Sequence, residues 1–121
     1  MGDKEYRTHN DLDVWNKSIE FAEKIYKVTS SFPKEEQYGI VSQIRRSVVS
    51  ISSNIAEGAA RNSKKEFIQF LFIAMGSLSV LETQLIIATK WEFTKNSNVF
   101  SEIASIGKML LGLIRFLTKK K

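Results

Sequence analysis

The chain has 121 residues, of which 43% are hydrophobic and 26% are charged, a balance typical of an ordinary soluble globular protein. It contains no cysteine, which excludes disulfides, thiolate metal sites and cysteine nucleophiles. The net charge of +5 comes entirely from one end, because residues 1–102 hold 13 basic and 13 acidic residues, whereas residues 103–121 hold five basic residues and no acidic one. The length predicts a single domain, residues 1–121.

Residues 1–10 are polar and are expected to form a flexible amino-terminal segment. They contain no apolar run of the kind that a signal peptide needs, so we expect a cytoplasmic protein. The first helix is expected to begin at Asp11 or Asp13, either of which is a suitable cap. It is expected to end before Pro33, because the residue preceding a proline avoids the helical conformation. Its predicted buried positions are Trp15, Ile19, Ala22, Ile25 or Tyr26, and Thr29.

The second helix is expected to begin near Pro33 and to end or bend at Gly58 and the run Ala59-Ala60-Arg61-Asn62. Apolar residues recur every three or four positions and therefore share one face, formed by Val41, Ile44, Val48, Ile51 and Ile55. The opposite face is mostly small, and we interpret it as a second packing surface; an ordinary exposed face is the alternative. Its members are Ser42, Arg46, Val49, Ser50, Ser53, Ala56, Glu57 and Ala60.

Ser63 and Glu66 have the spacing of a capping box, which predicts that a third helix begins there. One face consists of Phe67, Leu71, Ala74, Leu78, Leu81, Leu85 and Ala88. The opposite side holds Phe72, Ile73, Gly76, Val80, Thr83 and Ile87. A helix that is apolar on all sides is buried on all sides, and four helices alone do not cover it, so we predict a homo-oligomer. A transmembrane span is the alternative, but Glu82 argues against it, since an acid at mid-bilayer costs about 2.5 to 3.5 kcal/mol.

Asn96 and Asn98 interrupt the helical pattern, and Ser97 is a suitable cap for a fourth helix. That helix is expected to bury Val99, Ile103, Ile106, Leu110, Leu113 and Leu117, with Leu111 and Ile114 widening the face. No segment has the pattern of a strand. We therefore predict an all-α fold, an antiparallel up-down-up-down four-helix bundle.

The sequence contains no pattern of catalytic or metal-binding residues. His9 is the only histidine, so the Glu-x-x-His pairs of di-iron bundles are excluded, and no glycine-rich phosphate loop is present. Glu57 and Glu82 are expected to pair with arginines or helix ends rather than with each other. We predict that the protein is not an enzyme and needs no metal or cofactor.

Two uses of the basic residues remain open. Candidate nucleic-acid-binding residues are Arg45, Arg46, Arg61, Lys64, Lys65, Lys108, Arg115, Lys119, Lys120 and Lys121. Alternatively, Arg46 pairs with Glu57 or a neighbouring subunit, and the terminal lysines stabilise the carbonyl end of the last helix. Candidate interface residues are Ser42, Arg46, Val49, Ser50, Ser53, Glu57, Phe72, Gly76, Val80, Thr83 and Ile87. Candidate exposed aromatic residues for base stacking are Tyr38, Trp91 and Phe93.

Several segments together carry a family resemblance: DLDVW (11–15), IYKVTSSFPKEEQYG (25–39), QIRRSVVSISSNIAEG (43–58), EFIQFLFIAMGSL (66–78) and LETQL (81–85). Over residues 11 to about 90 the chain resembles the bacterial four-helix-bundle proteins called 23S rRNA intervening-sequence proteins. Where such proteins often carry Gly-Tyr after the third helix, this chain has Trp91-Glu92-Phe93.

The resemblance implies an antiparallel bundle that assembles into a ring, typically a homopentamer. The family name describes reading frames inside intervening sequences of ribosomal RNA genes, which is a genomic location and not an activity. A related bundle, the accessory protein of diversity-generating retroelements, is a basic pentamer that binds nucleic acid and a reverse transcriptase. By similarity we expect an RNA- or DNA-binding accessory role. The alternative is a protein-interaction or structural ring with no nucleic-acid partner, and no membrane contact is expected under either.

Overall fold

The structure is a computed structural model that describes residues 9, 12–95 and 98–119. These residues form four α-helices and no strand: α1 (Asp13–Thr29), α2 (Ile40–Ala59), α3 (Lys64–Lys90) and α4 (Asn98–Thr118). The all-α prediction is therefore confirmed. Helix α2 packs against α1 and α3, and α4 packs against α3 and α1. The segment expected to be flexible, residues 1–10, lies outside the described residues except for His9, as do Asp11, Asn96 and Ser97.

Helices α2, α3 and α4 bury the faces that the sequence predicts. All seven predicted positions of α3 and all five of α2 are buried. In α4 the buried residues are Val99, Ile103, Ile106, Leu110, Ile114 and Leu117. Leu113 is only half-buried, and Leu111 is 37% exposed. These residues, together with those of α1, form one hydrophobic core.

Helix α1 buries Ile25 and Thr29 as predicted, but the earlier part of its buried face is shifted by one position from the predicted one. Its buried residues are Val14, Ser18, Phe21, Ile25 and Thr29. Trp15 is half-buried, and Ile19 is 43% exposed. The prediction was wrong over the first part of the helix, because Ser18 faces the core although it is polar and does not continue the apolar spacing. Ser18 Oγ donates a hydrogen bond to Val14 O within the helix at 2.8 Å, so the buried hydroxyl is satisfied.

Helix α1 begins at Asp13, and Leu12, not an aspartate, occupies its cap position.

The connection between α1 and α2 is longer than expected. Pro33 precedes a short 3-10 turn, Lys34–Glu36, and α2 begins only at Ile40. The expected helix start near Pro33 is therefore wrong, because the 3-10 turn and Gly39 interrupt the helix.

Helix α2 ends at Ala59, within the run from Gly58 to Asn62 where the sequence predicts its end. Gly58 allows α3 to pack close to α2. A Cβ placed on Gly58 would lie 2.7 Å from the Cβ of Phe70 and 2.9 Å from Cδ1 of Phe67. Real side chains do not approach so closely, so this crossing of α2 and α3 depends on the absence of a side chain.

The amino end of α3 is capped as predicted. Ser63 Oγ accepts a hydrogen bond from the backbone N–H of Glu66 at 3.2 Å. This bond satisfies one of the amide groups that the first turn of a helix leaves unpaired.

The carboxyl end of α3 closes in a Schellman motif. Phe93 N–H donates to Ala88 O at 2.9 Å, and Glu92 N–H donates to Thr89 O at 3.0 Å. Glu92 has a φ of 64°, a left-handed conformation that glycine adopts at much lower cost. The turn therefore forms in this chain with a glutamate at the position that favours glycine.

Candidate functional site

The outer face of α3, formed by Phe72, Ile73, Gly76, Val80, Thr83 and Ile87, is apolar and uncovered in the single chain. Phe72 is 55% exposed, and Ile73 and Val80 are each 50% exposed. The space beside Gly76 is open, because a Cβ placed there would meet no atom within 4 Å. A contiguous apolar surface of this kind is typical of an interaction site.

By length and composition, α3 is also apolar enough to cross a membrane. Its most apolar window has a mean hydropathy of 1.8, and only 28% of that window is buried in the chain. A helix that packs against its own chain on one side and against another subunit on the other has the same composition. The exposed carboxylate of Glu82 lies near the middle of this helix.

The eleven candidate interface residues are exposed or half-buried, and none is buried. Ser50 differs from the others because it faces the line of contact between α2 and α3. Its hydroxyl lies 2.8 Å from that of Ser77, and Asn54 Nδ2 donates to Ser50 Oγ at 2.9 Å. A polar cluster of three side chains thus joins the two helices beside their outer faces.

Arg61 is occupied by its own chain. Its guanidinium forms an ion pair with Glu57 at 2.8 Å and lies 3.7 Å from a carboxylate oxygen of Glu66. The same group sits over the ring of Phe70, 4.9 Å from the ring centroid. The pairing of Glu57 with an arginine is confirmed, and the partner is Arg61 rather than Arg46.

Arg45 ties the start of α2 to the end of α1. Its Nε donates to Thr29 Oγ1 at 2.9 Å, and its Nη2 donates to Tyr26 O at 3.1 Å. The guanidinium carbon lies 4.4 Å from the centroid of the Tyr26 ring. The side chain is therefore held in one orientation.

The other candidate cations have no hydrogen-bond or ion-pair partner in the part of the chain that the structure describes. They are Arg46, Lys64, Lys65, Lys108, Arg115 and Lys119, and all six are exposed. Lys120 and Lys121 lie outside the described residues. The structure does not bring all of the candidates together, because they belong to α2, to the start of α3 and to α4.

Arg45 and Arg46 share a concave surface with aromatic residues. They line an open groove of about 480 Å³, together with Tyr26, Gln37, Tyr38, Val41, Ser42 and Val49. Tyr38 is 97% exposed, whereas the other two candidate aromatic residues belong to the turn after α3. Tyr38 was a candidate from the sequence but Tyr26 and Gln37 were not, because the groove forms only where α1 and α2 meet.

In residues 9, 12–95 and 98–119, no three His, Asp or Glu side chains are placed to hold a metal ion. The ring of His9 packs edge-on against Trp15, with 4.7 Å between the ring centroids.

Comparison with known proteins supports the resemblance noted in the sequence. A protein of unknown function from the S23 ribosomal protein family of Bacteroides thetaiotaomicron VPI-5482 has a similar structure, with a TM-score of 0.76 and 29% sequence identity. The alignment covers 84% of this chain and 95% of that one. No curated protein matches the chain. The family model for 23S rRNA-intervening sequence proteins matches residues 10–112, and the chain therefore belongs to that family.

Proposed function

We propose that this protein is a non-enzymatic, cytoplasmic homo-oligomer that binds RNA or DNA as an accessory factor of a ribonucleoprotein. The observation that carries the proposal is the outer face of α3, where three large apolar side chains are at least half exposed. Covering such side chains removes apolar area from water and favours association. A second copy of the chain is an ever-present partner for this face, and the family resemblance points to five copies in a ring.

Within each subunit, we infer that residues 1–121 form one antiparallel four-helix bundle. The contacts between α2 and α3 support this arrangement. Ser50 meets Ser77, whereas Gly58, further along α2, meets Phe67 and Phe70, which come earlier in α3. Residue numbers therefore rise along one helix while they fall along the other. The ion pair between Lys24 and Glu102 connects α1 to α4 and is consistent with closure of the bundle.

The nucleic-acid part of the proposal rests on cations that have no partner within the described chain. Lys108, Arg115 and Lys119 occupy a part of the sequence that contains no acidic residue after Glu102. An assembly multiplies this local excess by the number of subunits and thereby raises the potential that attracts phosphates. A protein-interaction or structural ring remains the second candidate, favoured by the commitment of Arg45 and Arg61 to contacts within the chain.

Replacement of Gly76 by leucine tests the assembly. The side chain would project from the outer face of α3, so we expect Gly76→Leu to dissociate the oligomer while the helical content is kept. Gly112→Leu is the matched control, because Gly112 also lies in a helix beside open space but on α4. Sedimentation velocity and circular dichroism measure both properties. An unchanged sedimentation profile for Gly76→Leu would show that the outer face of α3 is not a subunit interface.

Charge reversal tests the nucleic-acid function. We expect Lys119→Glu, Lys120→Glu and Lys121→Glu together to weaken RNA binding, to reduce its dependence on salt and to leave assembly intact. The control reverses three exposed lysines outside the candidate set, Lys34, Lys90 and Lys95, and thus changes the net charge equally. Equal losses from both triple variants would indicate a general charge effect and not a binding site.

The membrane alternative for α3 has a direct test of its own. We expect the protein to remain in the aqueous fraction when it is mixed with phospholipid vesicles and floated on a density gradient. Flotation with the vesicles would instead favour a membrane role for the outer face of α3.

A further inference from the structure

The groove between the end of α1 and the start of α2 combines a fixed cation with unused hydrogen-bond donors. Two of the five guanidinium N–H groups of Arg45 bind Thr29 and the carbonyl of Tyr26. Stacking on the Tyr26 ring orients the rest of the group. A cation that is already immobilised loses little conformational entropy when it binds an anion.

The surroundings of Arg45 favour an anion. Arg46, which also lines the groove, has no partner in the described chain, and no Asp or Glu is among the lining residues. Helix α2 begins beside the groove at Ile40, with no acidic residue in its first turn and no side-chain cap. A carboxylate oxygen of Glu36 lies beside the cap residue Gly39, 3.4 Å from the position that a Cβ would take there, so the positive charge of the groove comes from the two arginines and not from the end of the helix.

Tyr38 gives the same groove an aromatic surface. At 97% exposure, its ring is almost free of contacts with its own chain. A large ring in that position contributes little to folding but offers a flat face to a ligand. Gln37 and Ser42 add an amide and a hydroxyl within the groove, which are able to bind the edge of a base.

We propose that this groove binds one segment of single-stranded nucleic acid, with a phosphate at Arg45 and Arg46 and a base stacked on Tyr38. The inference rests on the proposed nucleic-acid function and adds a contact site on α1 and α2 to the cations of α4. Single strands fit better than duplexes, because a duplex keeps its bases stacked on each other and away from Tyr38. The volume of about 480 Å³ lies in the range of ordinary small-ligand sites.

Binding to labelled strands tests the site by fluorescence anisotropy. The probes are an RNA and a DNA single strand of about 12 nucleotides, an abasic strand of equal length and a duplex of equal length. We expect Tyr38→Ala to weaken binding of the two normal single strands by about fivefold or more and to leave the abasic strand unchanged. Phe116→Ala is the matched control, since Phe116 is 47% exposed, lies outside the groove and is not a candidate for base stacking.

Arg46→Gln tests the phosphate contact. We expect it to weaken binding of the normal and abasic single strands alike and to lower the salt slope by about 0.7, the value for one lost phosphate contact on a single strand. Lys90→Gln is the control for the loss of one exposed positive charge outside the groove. Because Arg46 is also a candidate interface residue, the sedimentation of each variant is measured in parallel.

The outcomes separate this inference from the function on which it rests. If the unmodified protein binds no probe even at about 50 mM salt, both are wrong. If it binds single strands and the groove variants bind them equally well, the groove is not the binding site and the nucleic-acid function stands. A loss of assembly in Arg46→Gln with unchanged affinity per subunit would assign Arg46 to the subunit interface and overturn the site. Equal effects of Tyr38→Ala on normal and abasic strands would exclude base stacking.

Discussion

The inner and outer faces of α3 are both rich in apolar residues, yet their surroundings are opposite. Leu71, Leu81 and Leu85 on the inner face are fully buried, whereas Phe72 and Val80 on the outer face are 55% and 50% exposed. Hydrophobic spacing alone does not distinguish two such faces, since each repeats with the period of a helix. The difference teaches that one face stabilises the folded chain, while the other is available to a partner.

The largest expected effect separates the two faces at neighbouring positions. Leu81→Ala removes a fully buried side chain and is expected to lower the free energy of unfolding by about 2 to 5 kcal/mol. Val80→Ala is expected to cost less than about 1 kcal/mol within a subunit and to act mainly on association. Urea denaturation at several protein concentrations measures both contributions. Similar losses at low concentration would contradict the assignment of the two faces.

The second test adds the same methyl group on α2 where it faces α3, and on the outer face of α3. Gly58→Ala places a Cβ against Phe67 and Phe70 under the inner face and is expected to destabilise the protein by about 1 to 3 kcal/mol. Gly76→Ala meets open space, so the better helix propensity of alanine is expected to stabilise the subunit by up to about 1 kcal/mol. The midpoint of thermal unfolding is expected to fall for Gly58→Ala and to rise for Gly76→Ala. A neutral Gly58→Ala would show that the close crossing of α2 and α3 is not required.

The third test concerns the end of α3, where both faces stop. Glu92→Gly is expected to stabilise the fold by about 1 kcal/mol, because glycine adopts the left-handed conformation of this position without strain. Glu82→Gly, the same replacement in the middle of the helix, is expected to destabilise by about the same amount. Opposite shifts in the midpoint of thermal unfolding are the expected result, and a destabilising Glu92→Gly would contradict the Schellman turn.

The smallest expected effect belongs to Arg61, at the exposed turn that leads into α3. Arg61→Gln removes an ion pair with Glu57 and the contact with the Phe70 ring. We expect it to lower the free energy of unfolding by about 0.5 to 1 kcal/mol, because the side chains of Arg61 and Glu57 are both exposed to solvent. The loss is expected to shrink at high salt. Urea denaturation at low and high salt measures it; a loss that exceeds that of Gly58→Ala would mean that the turn, and not the inner face, dominates the packing of α3.

Much of the fold is predictable from the sequence wherever apolar spacing and local capping agree. The inner face of α3 and the cap at Ser63 are of this kind. Helix α1 is not, because a buried serine that bonds to its own helix looks like a surface residue in a sequence. The role of Gly58 is also hidden, since a close approach to Phe70 is a tertiary contact.

In the candidate site, too, some contacts are predictable from the sequence and others are not. The spacing of Glu57 and Arg61 by four residues favours an ion pair on a helix, so the occupation of Arg61 follows from a local pattern. The orientation of Arg45 depends on Tyr26 and Thr29, which belong to another helix. The groove around Tyr38 therefore required the structure, although both of its arginines were candidates from the sequence.

Sedimentation equilibrium of the unmodified protein, at several concentrations and without nucleic acid, tests the central claim most directly. We predict one species whose mass is a whole multiple of the subunit mass, fivefold if the family resemblance holds in this respect, and constant over the concentration range. A species of subunit mass throughout that range would contradict the account, because the outer face of α3 would then be stable in water without a partner.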